Sequence, residues 1–428
     1  MQAVIICGGK GSRLRSLIGN KPKALVKFNN TENLKIQIEI LKKSGIKNFL
    51  FLVNNYECEI KDFLKKNYKD NFIVKKDENY FGTGGCLYDA KKHLKNEFLI
   101  VYSDIFFRFN FKNFIKKSLL SKCCFSCVVH ANNHPFDSDT VDLDKNFKIK
   151  KIYKKNSKNF KINNAISGVY FAKKIFLNYF NFKRKKNYDL INDILPYLLE
   201  NNRNIFGYKT IEYIKDFGTP ERIVDIKKDI KKNKIKNLNF FYKSKAVFLD
   251  RDGVINKENK KVKNAKNFKI LPNTNKAIKK INNNKIPCFI VSNQSGLAKK
   301  EFTLIDLLKN ITTLDNYLSK KKAYIDDFLI CPHYNKIKYK NTNLSFFSNH
   351  RKPNPGMITS IAKKYRIDLK KSYFVGDTDI DMLTGKKVGL KTILVEGPKI
   401  KDYKFNIKPA FKVKNLNSAV DLILKKIK

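Results

Sequence analysis

At 428 residues the chain is long enough for two or three domains that each bury a core, and its 42% apolar content excludes a chain that stays unfolded. Lys and Arg number 89 against 38 Asp and Glu, a formal net charge of +51. The lysines are scattered among Asn, Ile and Phe along the whole length, so the charge does not single out a nucleic-acid partner; its field favours anionic small molecules.

No apolar run approaches the roughly 18 residues of a membrane helix, so no membrane partner is expected. The opening MQAVIICGG has no signal-peptide layout. Eight irregularly spaced Cys fit reduced thiols, and a cytoplasmic location is expected.

In the first half, Ala3–Cys7 reads as a buried strand, Glu32–Lys43 as an amphipathic helix and Lys47–Val53 as a strand. Glu57–Lys66 follows as helix and Phe98–Tyr102 as strand. This alternation predicts a mostly parallel sheet covered on both faces, an α/β domain over residues 1–232. From 122 to 172 the pattern turns β-rich, through FKIKKIYKK and GVYFA. Within it, Cys123, Cys124, Cys127 and His130 (CCFSCVVH) read as a buried strand, with a metal knuckle as the alternative. Helices are predicted at Tyr188–Leu199 and Pro220–Lys231. A charged run, 227–239, precedes a second αβ series assigned to residues 243–428. Its strands are expected at Lys245–Leu249, Ile286–Ser292, Ile325–Ile330, Tyr373–Val375 and Thr392–Val395. The fold class is therefore two doubly wound α/β domains.

Two segments carry chemistry. Gly8, Gly9 and Gly11 follow the first strand, where bare backbone N–H groups can converge on phosphate oxygens. Arg13 and Lys23 stand close enough in sequence to neutralise charge there. In the second half, FLDRDGVIN ends a strand on Asp250-Arg251-Asp252-Gly253. Carboxylates at i and i+2 suit a nucleophile and a general acid at phosphorus, and their repulsion calls for a cation.

The segment GGKGSRLRSL…KPKAL resembles the sugar-phosphate nucleotidyltransferase family, giving a Rossmann-like N-terminal domain. Further matches are Gly82-Thr83-Gly84-Gly85, VYSDIFF with Asp104, NNAISGVYF with Asn164 and Gly168, and DFGTPE with Asp216. The resemblance implies that Gly8, Gly9, Gly11, Ser12, Gly82, Thr83 and Gly84 bind nucleotide. It also implies that Asn164 and Gly168 contact sugar and that Asp104 and Asp216 hold Mg²⁺. Ser12 replaces the usual Thr, and Ser103 stands where Gly often precedes the metal Asp.

The second half is similar to the haloacid-dehalogenase-like phosphatases. That likeness implies Asp250 as nucleophile, Asp252 as acid and Ser292 as phosphoryl binder. Lys352 would neutralise the phosphoaspartate, and Asp250, Asp252 and Asp377 would hold Mg²⁺, with Asp381 nearby. DRDGVIN, SNQSGLAKKEF, CPHY and RKPNPGM resemble the heptose bisphosphate and histidinol phosphatases in particular. By that resemblance Asn256, Asn293, Gln294 and Arg351 contact substrate. Lys299 stands where Arg is frequent. The subfamily's zinc loop is altered. Cys331 and His333 remain, but the second pair reads Ser348-Asn349-His350, so zinc would rest on Cys331, His333, His350 and water, or the loop is metal-free.

Together the resemblances imply GTP and heptose phosphates as small-molecule substrates. A 7-phosphatase yields the sugar 1-phosphate that a guanylyltransferase consumes. The alternative is a transferase for another sugar 1-phosphate joined to a phosphatase of other specificity, such as histidinol phosphate.

Overall fold

Apolar runs of four to six residues, buried on both faces, become the central strands of each half, because such a run can satisfy its backbone only inside a covered sheet. The computed structural model describes residues 1–9, 11–69, 72–77, 81–157, 160–183, 187–239, 241–257, 268–334, 345–396 and 407–427. The chain falls into two compact units. One comprises residues 1–130, 136–160 and 164–235, the other residues 131–135, 161–163 and 236–428.

In the first unit, Gln2–Ile6 lies between Asn48–Val53 and Glu97–Tyr102 and runs parallel to both. The register sets Ile6 opposite Leu52 and Tyr102, so the carboxyl ends of three strands open at one level. That is where α/β sheets bind ligands. Ile73–Lys76 continues the parallel part. Beyond Glu97–Tyr102 the sheet turns antiparallel, through Ala165–Lys173 against both Glu97–Tyr102 and Phe125–His130. The nine-stranded sheet is thus mixed, not the mostly parallel one that the pattern predicts. A short turn makes Thr140–Leu143 and Ile149–Tyr153 an antiparallel hairpin, whereas Ala165–Lys173 pairs antiparallel with strands far away in sequence, a direction that the local pattern does not encode.

Helices Asn33–Lys43 and Glu57–Asn67 bury Leu34, Ile38, Leu41, Ile60 and Leu64 against one face. Gly82–Asp89 and Leu195–Glu200 bury Leu87, Leu195 and Leu198 against the other. The helix predicted over Tyr188–Leu199 begins instead as a wider π turn, Leu190–Ile194, capped by Asp189. Pro196 near the start of Leu195–Glu200 has no N–H to give the preceding turn, which removes one α-helical bond there. The Cys-rich segment forms the buried strand Phe125–His130.

The second unit is a six-stranded parallel sheet. Its strands are Val247–Leu249, Cys288–Asn293, Asp327–Cys331, Tyr373–Gly376, Lys391–Val395 and Phe411–Val413. Numbered in chain order within this unit, they lie side by side as 3-2-1-4-5-6. The order reverses at Val247–Leu249, so the crevice beyond Leu249 is the expected ligand site. Asp250 stands at that point.

Aromatic packing carries much of the first core. Phe109 is fully buried with its ring 4.9 Å from Phe111 and 6.0 Å from Tyr208. Phe109→Ala is expected to cost about 3–5 kcal/mol, the price of a large core cavity. Denaturant unfolding followed by near-ultraviolet circular dichroism measures it, and a loss below about 1 kcal/mol would show that the cluster repacks.

Candidate active sites

In the second unit, four loops after parallel strands converge. Lys352 reaches Asp250 at 2.8 Å and Asp381 at 2.6 Å, with the side chains of Lys352 and Asp381 only 4% and 1% exposed. Oxygens of Asp250, Asp377 and Asp381 all lie within 4.8 Å of one another. Burial, with Asp381 and Asp252 adding to it against Lys352, pushes Asp250 up to about 7. Burial alone would lower the Lys352 ammonium, but Asp250 and Asp381 hold it above its ordinary value.

Charge counting shows what the cluster lacks. Three carboxylates and one ammonium leave a formal charge of −2 in a buried site. Such a charge is costly without a counterion, and hard carboxylate oxygens suit a divalent cation such as Mg²⁺. Gly253 lines the same place. At φ 84 it accommodates a conformation that disfavours other residues, and a Cβ there would collide with the Asp377 carboxylate.

Asp252, which the family resemblance counts among the metal ligands, contributes no side-chain oxygen to this cluster, whereas Asp381 does. The Asp252 carboxylate is turned to Arg251 (2.9 Å), Asn256 Nδ2 (2.8 Å) and Gln294 Nε2 (2.7 Å). Burial opposes ionisation, but Arg251 and these hydrogen bonds outweigh it and hold Asp252 below its ordinary value. Gln294 also donates to Ser292 Oγ at 2.9 Å. Asn293 exchanges two 3.0 Å hydrogen bonds with the Lys352 backbone, fixing the loop that carries the ammonium. Arg351 donates to the carbonyl of His333 at 2.8 Å.

Asp381 also closes a capping box with Thr378 at the start of helix Asp379–Lys387. One oxygen caps the helix while the other faces Lys352. One residue thus serves both the helix start and the ion pair with Lys352.

Among the described residues the only set of three or more potential metal ligands is Asp250, Asp377 and Asp381. Cys331, His333 and His350 do not form such a set. His350 Nε2 lies 3.3 Å from Ser360 Oγ, and residues 335–344 of the altered loop fall outside the described part.

In the first unit a separate two-stranded ladder does what sequence spacing alone does not reveal. Ile105–Arg108 pairs antiparallel with Tyr213–Asp216, setting Ile105 opposite Asp216. Phe217 N–H donates to the Asp104 carbonyl at 3.0 Å. Asp104 and Asp216, 112 positions apart, thereby come together. Lys23 Nζ lies 3.6 Å from Asp104. Burial and Asp216 raise Asp104 above its ordinary value, with Lys23 opposing. Arg222, which sequence reasoning missed, bridges Asp216 and Asp137. Its only signal was its place directly after DFGTPE.

The Gly8–Ser12 loop lies beside these groups. A Cβ at Gly11, where φ is 66, would press on the Lys23 stem, and one at Gly9 would come within 4.0 Å of its Nζ. Arg13 and Ser12 are exposed beyond the loop. Asn164 and Gly168 are buried. Gly168 adopts φ 73, and a Cβ there would meet Ile105 and the Tyr102 ring, so packing requires this glycine. Thr83 Oγ1 points to Asp189 rather than outward, at 2.9 Å.

Comparison with known proteins follows this geometry. The Nucleotidyl transferase family model matches residues 2–233 and a HAD-hydrolase-like model matches residues 349–419. The D-glycero-α-D-manno-heptose 1-phosphate guanylyltransferase of Campylobacter jejuni is 30% identical over 233 residues, 52% of this chain and 96% of that protein. The D-glycero-β-D-manno-heptose-1,7-bisphosphate 7-phosphatase of Rhodopseudomonas palustris is 34% identical over 155 residues, 36% of this chain and 85% of that protein. The D-glycero-α-D-manno-heptose-1,7-bisphosphate 7-phosphatase of Photorhabdus laumondii is 34% identical over 148 residues, 35% of this chain and 80% of that protein. The chain belongs to the nucleotidyl transferase family in its N-terminal half and to the HAD-like phosphatases in its C-terminal part.

Proposed function

We propose that the chain carries two consecutive steps of nucleotide-sugar synthesis. The C-terminal unit removes the 7-phosphate of D-glycero-D-manno-heptose 1,7-bisphosphate. The N-terminal unit joins the resulting heptose 1-phosphate to GMP from GTP, releasing pyrophosphate and giving GDP-heptose. The observation that carries this reading is the pairing, on one polypeptide, of likeness to a 7-phosphatase and to a 1-phosphate guanylyltransferase, since the product of the first is the substrate of the second. No described helix is long and apolar enough to cross a membrane.

In the phosphatase, Asp250 attacks the 7-phosphorus and the sugar oxygen leaves, forming an aspartyl-phosphate that water then hydrolyses. Lys352 sits 2.8 Å from the attacking carboxylate and neutralises charge as the phosphoryl group arrives. Ser292 and the N–H groups after the strands receive phosphoryl oxygens. Asp252, ionised in the resting site and fixed in direction by Asn256 and Gln294, takes up a proton as substrate binds and gives it to the departing alkoxide; the carboxylate so regenerated then activates water. Asp250 and Asp377, with Asp381 beside them, would hold Mg²⁺, which would supply Lewis-acid neutralisation of phosphate charge.

In the transferase, a phosphate oxygen of the sugar 1-phosphate attacks the α-phosphorus of GTP and pyrophosphate leaves. The Gly8–Ser12 loop supplies backbone N–H groups, Arg13 and Lys23 neutralise the triphosphate, and Asp104 with Asp216 would hold Mg²⁺. Positioning and charge carry this chemistry, since the sites require no covalent intermediate.

Asp250→Asn is expected to abolish phosphate release from the bisphosphate while pyrophosphate release from GTP and heptose 1-phosphate continues. Parallel assays of the two products decide it, and loss of both would refute separate sites. Lys23→Ala is expected to slow nucleotidyl transfer by about 10²-fold or more, about 2.7 kcal/mol of transition-state stabilisation, with phosphatase turnover retained. An unchanged rate would remove Lys23 from the mechanism. Metal analysis of the purified protein is expected to find less than about one zinc per chain. Chelator-treated protein should regain both activities on adding Mg²⁺ but not Zn²⁺. Stoichiometric zinc would show that the altered loop binds it.

A further inference from the structure

The Gly82-Thr83-Gly84-Gly85 turn opens helix Gly82–Asp89, yet its polar groups are bound to another part of the same unit. Thr83 Oγ1 donates to Asp189 Oδ2 at 2.9 Å and accepts from Leu190 N–H at 2.9 Å. The N–H groups of Gly84 and Gly85 both donate to the Tyr188 carbonyl, at 2.8 and 3.2 Å. Tyr188 N–H returns to the Phe81 carbonyl at 2.8 Å. A Cβ at Gly82 would strike Asn187 and the Tyr188 carbonyl, and one at Gly84 would strike Ile194. The glycines are therefore required by this clasp itself.

Asp189 is the centre of the clasp. Its second oxygen accepts from Ile191 N–H (3.0 Å), Asn192 N–H (2.8 Å) and Asn192 Nδ2 (2.9 Å), starting the π turn. Beneath lies Tyr102, whose strand ends two residues before Asp104; its ring is 5.6 Å from Tyr170 and against the Cα of Gly168. Burial raises the Tyr102 hydroxyl above its ordinary value, with Asp189 adding to it, which places the two groups near each other. The clasp thus adjoins the strand that delivers a carboxylate to the reacting phosphates.

We propose that Asp189 is a positioning residue of nucleotidyl transfer, holding the Gly82–Gly85 turn through Thr83 so that the turn's outer surface is preformed for the substrates. This rests on the transferase reading above. Thr83 acts through Asp189, not by offering its hydroxyl to the nucleotide. One carboxylate has two separable tasks, since one oxygen caps the turn and the other holds Thr83.

Asp189→Ser separates them. Serine is a good N-cap and keeps an acceptor for the turn, but its side chain is too short to hold Thr83. Steady-state transfer is measured with GTP and heptose 1-phosphate for the wild type, Asp189→Ser, Thr83→Val, their double variant and Thr83→Ser. Phosphatase turnover of each preparation standardises the amount of intact chain. Wild-type protein with no transfer would sink the transferase reading rather than this proposal.

Given transfer, Asp189→Ser and Thr83→Val are each expected to raise KM for GTP about tenfold, the loss of one hydrogen bond to a charged group, with kcat within about threefold. The double variant should be no worse than either single one, and Thr83→Ser should resemble wild type. Multiplying effects, or a silent Asp189→Ser beside an impaired Thr83→Val, would overturn the proposal, since Thr83 would then act alone. Should Asp189→Ser fail to fold, Asp189→Thr takes its place in the same cycle, keeping a capping acceptor on a side chain too short to hold Thr83.

Discussion

A buried ammonium organises the phosphatase. Lys352 lies between two carboxylates with almost no solvent around it, and removing the ammonium would leave three clustered carboxylates uncompensated in a medium that tolerates little. The surrounding architecture serves that arrangement. Asn293 clamps the Lys352 backbone, the capping box fixes Asp381, and the strand-order reversal delivers Asp250 to the same crevice. Even so the balance is incomplete, and the remaining negative charge is what prepares the site for a divalent ion. The second aspartate of the Asp-x-Asp pair is kept apart by Arg251, so two carboxylates two residues apart have different electrostatic surroundings and different work.

The transferase site solves a similar problem with a different device. Of its two acidic residues, Asp104 lies in the turn just before Ile105–Arg108 and Asp216 ends Tyr213–Asp216, and the short antiparallel ladder between these strands brings them together. Lys23 and Arg222 supply one positive charge to each side. Backbone pairing sets the spacing of these groups, which ties the geometry proposed for phosphate chemistry to the hydrogen bonds of that two-stranded ladder.

Much of this was legible beforehand, and the limits have physical causes. Central strands were readable because burial on both faces leaves continuous apolar runs, as in QAVII and NFLFLV. The placement of Asp250 and Asp104 just beyond strand ends is readable because their motifs are local. Partnership between Asp104 and Asp216 was not, since register across more than a hundred residues leaves no local trace and only family resemblance joined them. Spacing reveals that Asp250 and Asp252 leave a strand together but not which way each side chain turns. A capping aspartate and a lysine-paired aspartate have the same local sequence, and Asp381 is both. Glycines at 82, 84 and 168 suggested ligand contact, whereas neighbouring backbone and rings demand them. Asp189 went unnoticed because its partner lies 106 positions away.

Carrying both units on a single polypeptide has a metabolic consequence. Synthesis delivers the two catalysts in equal number, so transcription or translation cannot tune one against the other. The standing pool of the intermediate between them is then governed by their relative turnover and affinity, quantities written into the loops of each crevice. Selection on the flux through this pair must act on amino-acid substitutions within the sites.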